Sequence, residues 1–179
     1  MVLCLYGANN IAYTLFLKKK VVIDAISIAI GFVLRPIGGA LAIDVIVSDW
    51  LLICVFCLAL CLGLGKRRVE IGHLGEKADH HRKVFKEYTA SKLDPMLAAS
   101  AAMTILAYML YTTDVRTIEK FGNNRMLYGT PLIVYALFRY FVKVQDGKES
   151  GPVEILTGDF CFIAAGLCWL GIALWAVYG

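Results

Sequence analysis

Six hydrophobic stretches fill most of this 179-residue chain, and they limit its fold more than any other feature. They run over 2–17, 21–43, 50–64, 96–112, 126–144 and 160–178. A helix needs about 20 apolar residues to cross ~30 Å of hydrocarbon. The first and third stretches fall short of that, so their ends are the least defined. Hydrophobic residues make up 59% of the chain and charged residues 18%. A soluble domain of this size could not hide so much apolar surface. The chain therefore predicts an all-α polytopic transmembrane helix bundle. No basic leader or small-residue cleavage site precedes the first stretch, so no cleavable signal peptide is expected.

All six cysteines, Cys4, Cys54, Cys57, Cys61, Cys161 and Cys168, fall inside these apolar runs. That placement argues against a disulfide framework. Cys54, Cys57 and Cys61 share one helix face. They can form a metal site or pack as small apolar groups.

Positive charge is divided unevenly between the two sides. One side carries Lys18, Lys19, Lys20, Lys66, Arg67, Arg68, Lys77, Arg82, Lys83, Lys86, Lys92, Lys143 and Lys148; the other has Arg116, Lys120 and Arg125. The positive-inside rule makes the first side cytoplasmic, as in a multi-pass protein of a bacterial-type inner (plasma) membrane. Six spans then place both termini outside. Only one residue precedes the first run. An odd number of helices is therefore expected upstream, which would make the chain the C-terminal part of something longer. The alternative is a first run that spans as a reverse signal anchor.

The connection 44–49 predicts an antiparallel helix pair. The loop 66–92 is the largest polar insertion. Its first half continues the third span as helix, with Lys66, Glu70, His73 and Lys77 on one face and an end near Ala78. The stretch 82–93 is basic and amphipathic enough to lie on the membrane surface. Asp94-Pro95 then starts the fourth span, with the proline in its first turn. The loop 145–159, with Gly147, Gly151, Pro152 and Gly158, predicts turns and no helix.

Ionisable groups inside a membrane are costly, which makes them functional candidates. Asp24, Ser27, Gly31 and Arg35 share a face of the second span. Asp24 and Arg35 lie about 16 Å apart along the axis, too far to pair. Arg35 can contact an anion or snorkel to the outer interface. Arg139, with Lys143 and Tyr135, reads as a snorkelling group near the cytoplasmic end of the fifth span. Lys66, Arg67 and Arg68 sit at the level of phosphate head groups, where arginine offers bidentate hydrogen bonds and lysine a point charge. Glu70, one turn on, can hold Lys66 or help bind Mg²⁺. The plain alternative is that these cations are topology signals. His73, His80 and His81 have no ligand-spaced carboxylate or cysteine beside them, which favours a solvated surface.

Several segments resemble UbiA-type integral-membrane transferases, and within them the decaprenyl-phosphate phosphoribosyltransferase branch. They are Ala12-Tyr13-Thr14-Leu15-Phe16-Leu17-Lys18, Gly31-Phe32-Val33-Leu34-Arg35-Pro36-Ile37-Gly38-Gly39, Ser48-Asp49-Trp50 and, most specifically, Gly65-Lys66-Arg67-Arg68-Val69-Glu70. Phe138-Arg139-Tyr140, Asp146-Gly147, Gly151-Pro152-Val153-Glu154 and Asp159 also fit. The resemblance runs essentially end to end and implies six of nine helices around a cytoplasm-facing cavity open to lipid. It also implies transfer of 5-phosphoribosyl from PRPP to a polyprenyl phosphate, Mg²⁺ on the departing diphosphate, and no nucleic-acid partner. Lys66, Arg67 and Glu70 would line a phosphate site with Tyr13 and Lys18 beside it; Asp24, Arg35 and Arg139 are weaker candidates.

The chain departs from the family in one respect. The family's first aspartate-rich motif has no match here, since Asn9-Asn10 is followed by no aspartates at that spacing. The main Mg²⁺ motif and three N-terminal helices would be missing, and the chain alone would be inactive. Two other readings compete: a UbiA-type prenyltransferase acting on an aromatic or quinone precursor, and a non-catalytic membrane subunit. Against the first, the loop 66–92 carries no DxxxD motif; its nearest pattern is Glu76 with Asp79.

Overall fold

The computed structural model describes residues 2–20, 22–74, 89–147 and 151–179. Among these residues eight α-helices follow in order: α1 (Val2–Leu15), α2 (Ile23–Ala42), α3 (Asp49–Leu74), α4 (Ala90–Thr113), α5 (Val115–Phe121), α6 (Thr130–Asp146), α7 (Pro152–Gly158) and α8 (Phe160–Tyr178). Short 3-10 turns occupy Leu17–Lys19 and Arg125–Gly129. Among the described residues there is no strand. The molecule is an all-α polytopic membrane bundle, as the apolar runs predict. Among the described residues four helices are long and apolar enough to cross a membrane: α2, α3 as far as Gly72, α4 and α8. The runs at 2–17 and 126–144 also form helices, α1 of 14 residues and α6 of 17.

The helix pair α2 and α3 reverses through 43–48, as the short connection predicts. α1 lies against α2, and the face of α2 noted in the sequence is what it meets. Asn9 donates to the Ser27 carbonyl and accepts from the Ser27 hydroxyl, both at 3.0 Å. Two polar side chains satisfy each other here in an apolar setting, where an unmet hydrogen bond is expensive.

The core gathers where α3, α4 and α6 meet. Cys61, Leu64, Val69, Leu93, Leu97, Tyr140 and Val144 are buried there, with Ile155 of α7 and Ala25 of α2. α1, α2 and α8 expose much of their apolar surface: Leu3, Phe32, Leu167 and Leu174 stand open, as lipid-facing groups do.

Two sequence expectations require correction. α4 begins at Ala90, so Pro95 sits in its second turn and not its first. Leu93 and Leu97 are completely buried on either side of Pro95, and that burial carries the helix past the one hydrogen bond the proline removes. The segment 145–159 is not free of helix. α6 runs on to Asp146, and Gly147 closes it at φ +63°. Pro152 then opens α7 at a position where its missing N–H costs nothing. α3 does continue as helix past its span, to Leu74. The expected helix end near Ala78, the surface segment over 82–88 and the groups Lys77, His80, His81, Glu76 and Asp79 lie outside the described residues.

Candidate functional site

α3 passes from the apolar core into a polar cluster at its C-terminal end. Arg67 is the centre of it. Its Nε donates to Asp24 Oδ2 at 2.6 Å, its Nη1 to Glu70 Oε2 at 2.5 Å and its Nη2 to Tyr13 Oη at 3.3 Å. Three helices thus converge on one guanidinium: α1 through Tyr13, α2 through Asp24, and α3 itself. Both charges of the Arg67–Asp24 pair are almost wholly buried, with 4% and 1% of the side chains exposed. Asp24 also sits in the first turn of α2, where the helix dipole favours a carboxylate. Glu70 is reached because i and i+3 share a helix face.

Lys66 points the other way. Its side chain is 53% exposed, and its ammonium is 4.0 Å from Glu70 Oε1. Arg68 binds Asp94 of α4 at 2.8 Å and so ties α3 to α4. Gly65 has a steric reason to be glycine: a Cβ there would fall on the buried Tyr140 ring. The Tyr140 hydroxyl donates to the Leu62 carbonyl at 3.3 Å.

Of the residues singled out in the sequence, Tyr13, Asp24, Lys66, Arg67 and Glu70 are brought together. Lys18 lies in the turn after α1 and makes no ion pair or hydrogen bond with the described residues. Arg35 stands apart: it donates to Tyr6 Oη at 3.1 Å and lies over the Phe32 ring at 4.8 Å. Arg139 reaches the polar start of α8. It donates to Asp159 Oδ2 at 2.7 Å, with the Lys143 ammonium 3.9 Å from the same oxygen. The other Asp159 oxygen accepts from the Cys161 and Phe162 amides and so caps α8. The Arg139 hydrogen bond holds the Asp159 carboxyl below its usual range, reinforced by those two amides.

The cluster's chemistry follows from which donors are spent. Each Arg67 nitrogen already donates one hydrogen bond, and the side chain is 4% exposed, so its two remaining N–H donors present little to an incoming phosphate. Lys66 is the cation that can reach a ligand. A divalent cation fits poorly: Arg67 already fills the space between Asp24 and Glu70. Among the described residues there is no group of three or more His, Cys, Asp or Glu side chains that could hold a metal.

Sequence reading did not anticipate a second feature. A cavity of about 510 Å³ lies between α3, α4, α6 and α8, walled mainly by aliphatic groups. Two of its polar fixtures are paired with each other. Trp169 Nε1 donates to Tyr108 Oη at 2.9 Å, and that hydroxyl donates to the Met126 carbonyl at 2.7 Å. The lining comes from five helices and a 3-10 turn far apart in sequence, so no local motif could announce it.

No protein-family model matches the chain. Curated relatives do. It is 28% identical over 186 residues to the decaprenyl-phosphate phosphoribosyltransferase of Mycolicibacterium smegmatis, covering 99% of the chain and 58% of that protein. It is 27% identical over 173 residues to the protein of that name from Mycobacterium tuberculosis H37Rv, covering 95% of the chain and 55% of the relative. For the Corynebacterium glutamicum protein of that name the identity is 25% over 177 residues, covering 99% and 53%. The chain is thus similar throughout to that branch, as its motifs suggest, and spans a little over half the length of the curated relatives it matches.

Proposed function

We propose that this chain serves a membrane enzyme that transfers 5-phosphoribosyl from PRPP to a polyprenyl phosphate of the decaprenyl type. The observation that carries the reading is the meeting of Tyr13, Asp24, Arg67 and Glu70 where α3 leaves the apolar core, with Lys66 open beside them. The similarity to relatives named for this reaction supports it.

The chemistry asks little covalent work of the protein. The bond from the ribose anomeric carbon to the diphosphate breaks, and diphosphate leaves with the electron pair. An oxygen of the polyprenyl phosphate forms the new bond to that carbon. The acceptor oxygen is already ionised, so no base has to remove a proton. Charge then develops as an oxocarbenium centre and a departing polyanion, and fixed cations and dipoles stabilise it. On this reading Lys66 contacts a substrate phosphate. Arg67 is a positioning residue that holds Asp24, Glu70 and the Tyr13 phenol in one constellation. Magnesium enters the proposal only as the companion of the diphosphate donor, and no step is assigned to it. Such precursors serve cell-wall arabinan or other polyprenyl-linked sugars.

The test uses membranes expressing the gene that encodes this chain, supplied with ribose-labelled PRPP, Mg²⁺ and a polyprenyl phosphate. Label is expected in the lipid fraction, and expected to be lost in Lys66→Ala with the protein still inserted. An inserted, folded protein that labels no lipid would overturn the reading.

A further inference from the structure

We infer that the end of the bundle remote from Arg67 holds a second site, which binds an anionic phospholipid with one acyl chain in a preformed cavity. About 19 residues of α3 separate Ser48 from Arg67, roughly 28 Å of helix. The cavity there has a volume of about 550 Å³. Its floor is apolar, from Ala40 and Ile43 at the end of α2 to Phe121 of α5, and Arg116 and Lys120 line it as well.

Three observations point to this ligand. Arg116 and Lys120 lie one turn apart on α5, on the same side of the helix, and both face the cavity. Among the described residues neither makes an ion pair or a hydrogen bond; Lys120 lies only over the Phe121 ring at 6.0 Å. Ser48 lines the same cavity, and its buried hydroxyl has no partner. Glu119, Asp44 and Asp49 are close in sequence, but none lines the cavity.

Charge bias sharpens the point. The sequence assigns this end to the side poor in cations, and two of its three basic residues face one cavity. Snorkelling alone would place them at the interface without a hollow beneath. A phosphate between Arg116 and Lys120, with a chain running down over Ala40 and Ile43, satisfies both cations and fills apolar space that water would fill badly. The Ser48 hydroxyl supplies a further donor to the head group or glycerol oxygens.

The inference is independent of the transfer reaction, since neither cation lies near Lys66 or Arg67. Its test is native mass spectrometry of the purified protein offered phosphatidylglycerol and phosphatidylcholine in equal amounts. The wild type is expected to retain phosphatidylglycerol preferentially. The double variant R116Q/K120Q should retain it about thirtyfold less, given the usual contribution of each cation near an anionic lipid. Ala40→Trp, which fills the floor, should lower retention with both cations intact. The double variant alters only exposed side chains, so it decides the matter even if Ala40→Trp fails to fold. Equal retention of the two lipids, undiminished phosphatidylglycerol in R116Q/K120Q, or its displacement by inorganic phosphate, as a site for the free anion would show, overturns the inference.

Discussion

Arg67 looks in the sequence like a surface cation at a helix exit, yet its side chain is 4% exposed and surrounded by acceptors. The consequences for substitution are unequal. Arg67→Ala takes the guanidinium away from the buried Asp24 carboxylate, and breaking a buried pair in this way typically costs about 3–5 kcal/mol. Thermal unfolding in detergent should show this as a large loss of stability. Asp24→Asn keeps an acceptor for the guanidinium and should cost less. The pair Asp24→Leu with Arg67→Met should recover most of the loss, because the two substitutions remove one interaction between them. Gly65→Ala should destabilise by about 1–3 kcal/mol through overpacking against the buried Tyr140. The spacing of Arg67 and Glu70 along one helix is legible in the sequence. The partner 43 residues away, Asp24, is not, because nothing local says which face of α2 turns to α3.

Helix boundaries show where local signals mislead. Asp94-Pro95 has the form of a cap followed by a first residue, yet α4 starts five residues earlier because Leu93 is buried and Asp94 is held by Arg68. Around 151–158 the glycines and the proline read as turn material, but Ile155 finds the core and a short helix forms to deliver it. In both places tertiary burial overrides punctuation that is locally sound. α8 gives a testable case at its first turn. The Asp159 carboxyl has its affinity for protons lowered in the folded state, chiefly by Arg139. Its stabilising effect is therefore complete above the ordinary carboxylate range and is lost as pH falls through the lowered folded value. Acid titration of the wild type, followed by the fluorescence of Trp169 and Trp175, should show α8 loosening at low pH. In Asp159→Asn the ion pair is gone at every pH, so that acid dependence should be much reduced.

At the scale of the molecule, the apolar runs predict the all-helical membrane bundle because lipid imposes length and composition on each span separately. The polar ends carry no such rule. Their arrangement depends on pairs between helices, such as Arg67 with Asp24, Arg68 with Asp94 and Arg139 with Asp159. One consequence concerns the field that the end of α3 presents to solution. Lys66, Arg67 and Arg68 are met by Glu70, Asp24 and Asp94, so a tract that reads as strongly basic is electrically balanced once folded. A balanced patch casts little potential beyond a Debye length, about 10 Å in 0.1 M salt. It does not gather polyanions from a distance as an unbalanced cationic funnel does. Under the proposed transfer reaction, the initial rate at limiting PRPP should therefore change little as monovalent salt is raised from low to moderate levels. A several-fold fall would show that the folded tract still steers its substrate. The tract itself then adds no long-range pull on a donor carrying several negative charges, and sorts it only on contact.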